Sequence, residues 1–272
     1  MESVLRAPRL NAYGFAHGFS TRQGGVSVGP FESLNLGSSL GRAAGVGGDG
    51  EQRDDPSHIA ENHRRFGEWV GYAPDRLFRV SQVHGAGVRV LSVADEPASV
   101  QRQEADALVA QLDAAGAGVA VAVRTADCVP LLLADPVTRA VAAVHGGWRG
   151  LVAGVVPASV EALCEASGAL PARLAAAIFP HIDVCCFEVG DDVAAQLQAA
   201  APARTDVVQN VPGGKPHVAL RSVVLAQLAA AGIAAERVEQ VEGCTACDAA
   251  RFFSFRRDGQ ATGRHLTVIV SG

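Results

Sequence analysis

Three short segments hold residue types that can do chemistry: Gln82-Val83-His84-Gly85, Thr125-Ala126-Asp127-Cys128 and Val144-His145-Gly146-Gly147-Trp148-Arg149-Gly150. Each follows or abuts an apolar run of the kind that forms a strand. Side chains at strand ends can converge at one edge of a sheet. His84, Cys128 and His145 then make a three-ligand set, one thiol and two imidazoles, suited to zinc or copper. Three protein ligands leave one position open, which is the catalytic arrangement rather than the closed structural one. The gaps of 44 and 17 residues match no local metal motif. Spacing alone therefore describes two packed histidines and a buried thiol equally well. The same residues also permit a Cys/His hydrolase. Cys128 would be its nucleophile and His145 its base, with Asp127 or Asp106 orienting the imidazole. His84 separates the two readings, because a metal site needs it and a thiol hydrolase does not; a non-enzymatic metal-binding protein is the third reading.

The elements that must position these residues are short and β-rich. Residues 77–145 read as LFRVSQV, VRVLSV, ADALVA, GVAVAVR, VPLLLA and AVAAVH, Val-rich runs bounded by Gly, Asp and Pro that suit buried strands. Helices are expected over 58–70, 151–167, about 188–200 and 216–231, the last stopped by Gly232. Strands are expected at 174–179, RVEQV and HLTVIV. Residues 13–36 read as irregular and strand-like, and the Gly-rich, charged stretch 37–57 reads as a mobile surface loop. The mixture predicts a sheet core with helices outside, an α+β or mixed α/β fold. Without an internal repeat or a clear linker, residues 1–272 read as a single domain.

Of the 272 residues, 49% are hydrophobic, enough for a packed core. A net charge of −5 argues against a general nucleic-acid binder, which needs a basic face. The most apolar stretches, 118–123 and 129–134, are separated by Arg124 and Asp127 and are too short to cross a bilayer. The first residues, MESVLRAPRL, hold no apolar signal core. A cytoplasmic location is expected, with the six cysteines kept as thiols.

Longer motifs occur in order along the chain. They are HGFSTRQGGVSVGPFESLNLG (17–37), QVHG (82–85), EADALVA (104–110), RTADCVPLLLAD (124–135), AAVHGGWRG (142–150), CCFEVG (185–190) and CTACDAARFFSFRRDGQATGR (244–264). Together they resemble the family called polyphenol oxidase or multicopper laccase-domain proteins (peptidoglycan editing factor-like), treated as purine nucleoside phosphorylases. The resemblance runs through nearly the whole chain. It implies a single-domain α-β-β-α sandwich and a metal site at His84, Cys128 and His145 holding Zn2+ or Cu2+. It also implies phosphorolysis of adenosine, inosine, guanosine and 5′-methylthioadenosine, together with adenosine deamination. The partners would be purine nucleosides and phosphate, without nucleic acid or membrane.

The laccase name fits the composition poorly. Multicopper oxidation needs many histidines, often as His-x-His pairs. This chain has eight histidines, no His-x-His, and Met1 as its only methionine. Deamination needs activated water and a proton shuttle, and the His-x-Glu and Pro-Cys-x-x-Cys signatures of zinc deaminases are absent. Asp127, Asp106 and Glu188 are the candidate shuttles. Phosphorolysis needs positive charge for phosphate. Arg22, flanked by Gly24-Gly25, and Arg149, near His145, are candidates, each with an ordinary surface role as the alternative. Asn35 is a candidate substrate contact or a turn cap. Trp148 suits stacking on a purine or core packing. Phe252, Phe253 and Phe255 read as core, and Arg256-Arg257 as a solvated basic spot. Cys244-x-x-Cys247 lacks a second pair at zinc-ribbon spacing, so structural thiols are expected there, and packing at Cys185-Cys186.

Two stretches depart from the family pattern. The 37–57 loop is longer than expected. Residues 179–184 carry Phe179-Pro180-His181-Ile182-Asp183-Val184 where a Gly-Pro-x-Ile-Gly-Pro-like run is expected. That loss of glycines bears on substrate range if the loop touches substrate. His181 is expected on the surface rather than in the site.

Overall fold

The apolar runs are buried on both faces, and this dictates the layering. The computed structural model describes residues 2–37, 53–112, 116–201, 203–204 and 206–272. In chain order the first elements are β1 (Val4–Leu5), α1 (Pro8–Ala12), β2 (His17–Ser20), α2 (Pro56–Val70), β3 (Leu77–Phe78), β4 (Val88–Val90) and α3 (Pro97–Val100). Next come β5 (Ala107–Ala110), β6 (Ala120–Thr125), β7 (Val129–Ala134), β8 (Val141–Gly146), α4 (Trp148–Val152), α5 (Val155–Ser167) and β9 (Ala175–Ile178). The chain closes with α6 (Asp191–Ala199), β10 (Val208–Gln209), β11 (His217–Val218), α7 (Leu220–Ala230), β12 (Val238–Gln240), α8 (Phe255–Asp258) and β13 (His265–Val270).

The strands form a five-stranded sheet, β1-β2-β13-β6-β3, and a six-stranded sheet, β12-β9-β7-β8-β5-β4. β10 and β11 form a separate ribbon. Alternation along each strand sends side chains to two different layers. In β6, Val121 and Val123 pack with Phe19, Leu132 and Ala143, so this cluster lies between the two sheets. Ala120 and Ala122 point the other way, onto Phe66, Val70 and Tyr72 of α2 and the residues after it. In β7, Leu132 joins the inter-sheet cluster, while Leu131 and Leu133 meet Val160, Leu163, Val224 and Leu228 of α5 and α7. The result is a mixed α/β protein with the helix–sheet–sheet–helix layering of an α-β-β-α sandwich.

The expected elements are present, with corrections. The 151–167 helix is two helices, α4 and α5, broken at Gly154 with φ +84. The helix expected from 216 begins only at Leu220, because His217–Val218 pairs with β10. Gly232 ends it at φ +89, a conformation that favours glycine. The loop expected at 37–57 lies, for residues 38–52, outside the described residues.

One end of the sandwich matters most for chemistry. The chain passes from the five-stranded to the six-stranded sheet at β3→β4 and again at β6→β7. His84 lies in the first crossing and Cys128 in the second. Antiparallel pairing of β7 with β8 sets Val129 opposite Gly146, bringing Cys128 beside the end of β8, where His145 sits. Pairing of β5 with β8 sets Ala107 opposite Val144, and the His145 N–H donates to the Asp106 carbonyl at 2.7 Å.

Candidate metal centre

The ligand atoms of His84, Cys128 and His145 all lie within 4.8 Å of one another. The two imidazoles meet edge to face, with centroids 4.8 Å apart. His145 is buried, Cys128 half-buried and His84 exposed, so the cluster opens to solvent on the His84 side. His84 is at φ +62, a backbone conformation uncommon outside glycine. Its loop is held from two directions. The Gln82 side chain pairs with both main-chain groups of Arg124 at 2.8 Å. The Asp106 carboxylate accepts N–H bonds from His84 at 2.9 Å and Gly85 at 2.6 Å.

Asp106 also accepts the Nδ1–H of His145 at 2.7 Å, leaving Nε2 as the nitrogen available to a metal. One buried carboxylate thus orients the ring of one histidine and the backbone of the other. Burial would raise the Asp106 carboxyl, but His145 and the loop N–H groups together hold it below its ordinary value. Burial would also raise the Cys128 thiol, yet the His145 and His84 imidazoles pull it down to about 6. Burial would lower His145, and Cys128 and Asp106 instead push it up to about 9. Cys128 is therefore poised as a thiolate, the form that ligates metal.

The backbone makes room for this cluster at Gly147. A Cβ there would lie 2.7 Å from His84 Cδ2 and 3.5 Å from Cys128 Sγ. Soft thiolate and imidazole donors, an orienting carboxylate and an open side fit zinc or copper in a catalytic site.

The other expected residues are placed as follows. Asp127, at φ +113, accepts from Thr245 Oγ1 at 2.6 Å and from the Arg256 N–H at 2.6 Å. Burial raises its carboxyl above the ordinary range despite these donors. Arg22 donates to the carbonyls of Glu32 and Ala249 and lies 4.7 Å over the Phe253 ring. Asn35 is buried, bonded to Asp54 and to the N–H groups of Gly37 and Arg264. Arg149 is exposed and stacks 4.4 Å over Trp148. Glu188 faces Lys215 at 3.7 Å. His181, expected on the surface, is buried with Nδ1 on the Phe179 carbonyl, because its chain pairs with Cys244 inside the fold.

Three arginines escaped the sequence reading. Arg124 lies within electrostatic reach of Arg79 and Arg264. Arg79 meets His63 Nε2 at 3.2 Å, Arg264 donates to the carbonyls of Thr262 and Gly263, and among the described residues no salt bridge joins the three to a carboxylate. Burial, then Arg79 and Arg264, bring Arg124 down to about 10. Arg264 lies within electrostatic reach of Cys128 and Asp127. Strand periodicity treats Arg124 as an interruption of an apolar run, and nothing local ties it to residues 79 and 264.

Known proteins place this architecture. The family model described as multi-copper polyphenol oxidoreductase laccase matches residues 16–272. The chain belongs to that family. A relative from Deinococcus radiodurans, named purine nucleoside phosphorylase, is 39% identical over 266 residues, covering 98% of this chain and 92% of the relative. A relative from an unknown prokaryotic organism, named adenosine deaminase, is 36% identical over 222 residues, covering 79% of this chain and 83% of the relative. The crystal structure of YlmD from Geobacillus stearothermophilus has the same fold, with a TM-score of 0.86 at 31% identity over 99% of this chain and 96% of that one. Among the described residues only two side-chain groups could hold a metal, this one and a set of four cysteines. Among the described residues no helix is long and apolar enough to cross a membrane.

Proposed function

We propose that this family member is a cytoplasmic, metal-dependent purine nucleoside phosphorylase that also deaminates adenosine. The observation that carries the reading is the convergence of His84, Cys128 and His145 around an open side, with Arg264 within electrostatic reach of Cys128. The names of the relatives point to the same two reactions.

Zinc or copper bound by these three residues would supply Lewis-acid activation at the substrate. The chain's own residues carry the rest. In phosphorolysis a phosphate oxygen bonds to ribose C1′, the glycosidic C–N bond breaks, and the leaving purine nitrogen takes a proton. Arg124 and Arg264, with Arg79 behind them, supply the positive charge that phosphate needs, in a setting of low dielectric. Arg22, Asn35 and Arg149 remain the candidates for substrate contact. Asp127, whose carboxyl is raised by burial, is the candidate proton shuttle to the purine nitrogen. In deamination water attacks purine C6 and ammonia leaves, and the same carboxyl relays the proton. Asp106 keeps His145 in one tautomer throughout.

The test is freshly purified protein and a Cys128→Ala variant, each analysed for metal and assayed on adenosine with and without phosphate. The expected result is zinc or copper lost in the variant, adenine formed only with phosphate, and inosine formed in both buffers. Unchanged nucleosides after zinc is restored would refute the assignment.

A second reading has a specific observation behind it. Cys128, His145 and Asp106 also form a thiolate–imidazole–carboxylate chain, the arrangement of a Cys/His hydrolase acting on an amide or ester such as a peptidoglycan precursor. Alkylation of Cys128 that zinc does not retard would favour it.

A further inference from the structure

Two turns on the flank of the crossing that carries Cys128 each bring two cysteines to one point. The first is 183–187, where the N–H groups of Cys186 and Phe187 both return to the Asp183 carbonyl. The second is 244–247, the Cys-x-x-Cys segment. A parallel bridge between His181 and Cys244 and an N–H bond from Thr245 to the His181 carbonyl at 3.0 Å hold the turns side by side. The four sulfurs of Cys185, Cys186, Cys244 and Cys247 all lie within 4.8 Å of one another. Cys247 Sγ lies 3.4 Å from Cys185 Sγ and 3.2 Å from Cys186 Sγ.

We propose that these four cysteines form a structural zinc site, separate from the His84–Cys128–His145 centre, that fastens the two turns together. Zinc with four thiolates has Zn–S bonds of about 2.3 Å, which puts tetrahedral sulfurs about 3.8 Å apart. The cluster brackets that spacing. The four are free thiols, and the Cys247 sulfur lies well beyond the disulfide length of about 2.05 Å from both Cys185 and Cys186.

The surroundings suit a thiolate–metal unit. The Asp183 N–H points at Cys244 Sγ at 3.4 Å, and the Cys247 N–H donates to the same sulfur. N–H groups aimed at sulfur stabilise a thiolate, and they hold Cys244 below the ordinary thiol value against the opposing effect of burial. Cys185 and Cys186 are pushed upward, by burial first and then by the Cys247 sulfur. Thiols this close resist ionising together unless a cation joins them. Two guanidinium groups clamp the turns. Arg256 donates to the carbonyls of Cys186 and Glu188, and Arg257 to those of Thr245 and Ala246. Their charge opposes the net −2 of a four-thiolate zinc unit. Each thiol gives its proton to solvent on binding, and no electron is transferred.

The site has a structural task. Ile182 N–H donates to the Asp127 carbonyl at 2.9 Å, and Thr245 Oγ1 to the Asp127 carboxylate at 2.6 Å. Both donors lie on the segments that zinc would fasten, and Asp127 precedes Cys128. Cys185 and Cys247 are exposed, so zinc can enter from solvent.

The experiment uses the full chain carrying His84→Ala and Cys128→Ser, which removes two ligands of the other centre. This protein, reduced and reconstituted with zinc, is expected to retain about one zinc per chain. Adding Cys185→Ser and Cys247→Ser should abolish it. Cobalt in place of zinc should give the intense thiolate-to-metal absorption of four sulfurs. If the variant that adds Cys185→Ser and Cys247→Ser fails to fold, the cobalt spectrum of the parent and the addition of Cys185→Ser alone decide. Zinc content below a tenth per chain in the parent, cobalt absorption absent, or zinc content unmoved by the cysteine changes would overturn the proposal. Because the nucleoside assays need His84 and Cys128, a failure there leaves this outcome readable on its own.

Discussion

The Asp106 carboxylate holds His145 through Nδ1 at 2.7 Å and the His84 main chain at 2.9 Å, so one buried side chain sets two of the three candidate metal ligands. An Asp106→Asn variant keeps the size but loses the charge and one acceptor oxygen. We expect metal affinity to fall about 10- to 100-fold, the range for losing a carboxylate that orients a ligating histidine. Competition with a chelator of known affinity measures it. An unchanged affinity would show that Asp106 serves only the loop.

Gly147 leaves no room for a side chain. Its backbone is at φ −68, which alanine adopts without strain, so the cost of Gly147→Ala is local. The added Cβ, 2.7 Å from His84 Cδ2, must displace that ring. The expected outcome is a thermal midpoint close to the parent's together with loss of metal and of turnover. Retained metal would mean that His84 is not a ligand.

The arginine group separates the two proposed reactions, because phosphate takes part in only one. Arg124→Gln removes a charged donor, and charge-assisted bonds are worth about 1.5–3 kcal/mol, or roughly 10- to 150-fold. The KM for phosphate should rise by that factor, while adenosine deamination changes much less. Steady-state assays with varied phosphate read the split. Equal loss in both reactions would place Arg124 in the frame of the site rather than on phosphate.

Stability should fall in mild acid through buried histidines. His265 is fully buried, with Nδ1 donating to Ser20 O and Nε2 accepting from the Phe253 N–H. Burial brings it down to about 3, and His63 likewise. The unfolded chain, with histidine near 6.5, binds the proton first. Stability is thus full above about pH 6.5 and is lost toward pH 3, at about 1.4 kcal/mol per pH unit for each such histidine. Urea midpoints at a series of pH values test this, and a flat profile between pH 6.5 and 4.5 would contradict it.

The strands were legible in the chain because local pattern determines them. Runs such as VPLLLA and AVAAVH hold apolar residues on both strand faces, and only a doubly covered sheet buries both. Gly232 announced its helix end because positive φ is cheap only for glycine. Residues 216–219 misled, since the propensity for a helix cannot reveal that His217–Val218 pairs with β10. The candidate ligands were visible as residue types at strand ends, through motifs that carry a family resemblance. What joins them is not local. Asp106 meets His145 because the register of β5 on β8 places them together, 39 residues apart in the chain. Arg124 meets Arg79 and Arg264 through crossings between layers, and Cys185 and Cys186 meet Cys247 because β12 pairs with β9, contacts that no spacing rule encodes. Residue type and periodicity determined what each strand buries. Strand register and the two crossings between sheets decided which side chains share a site, because those contacts exist only after distant segments pack.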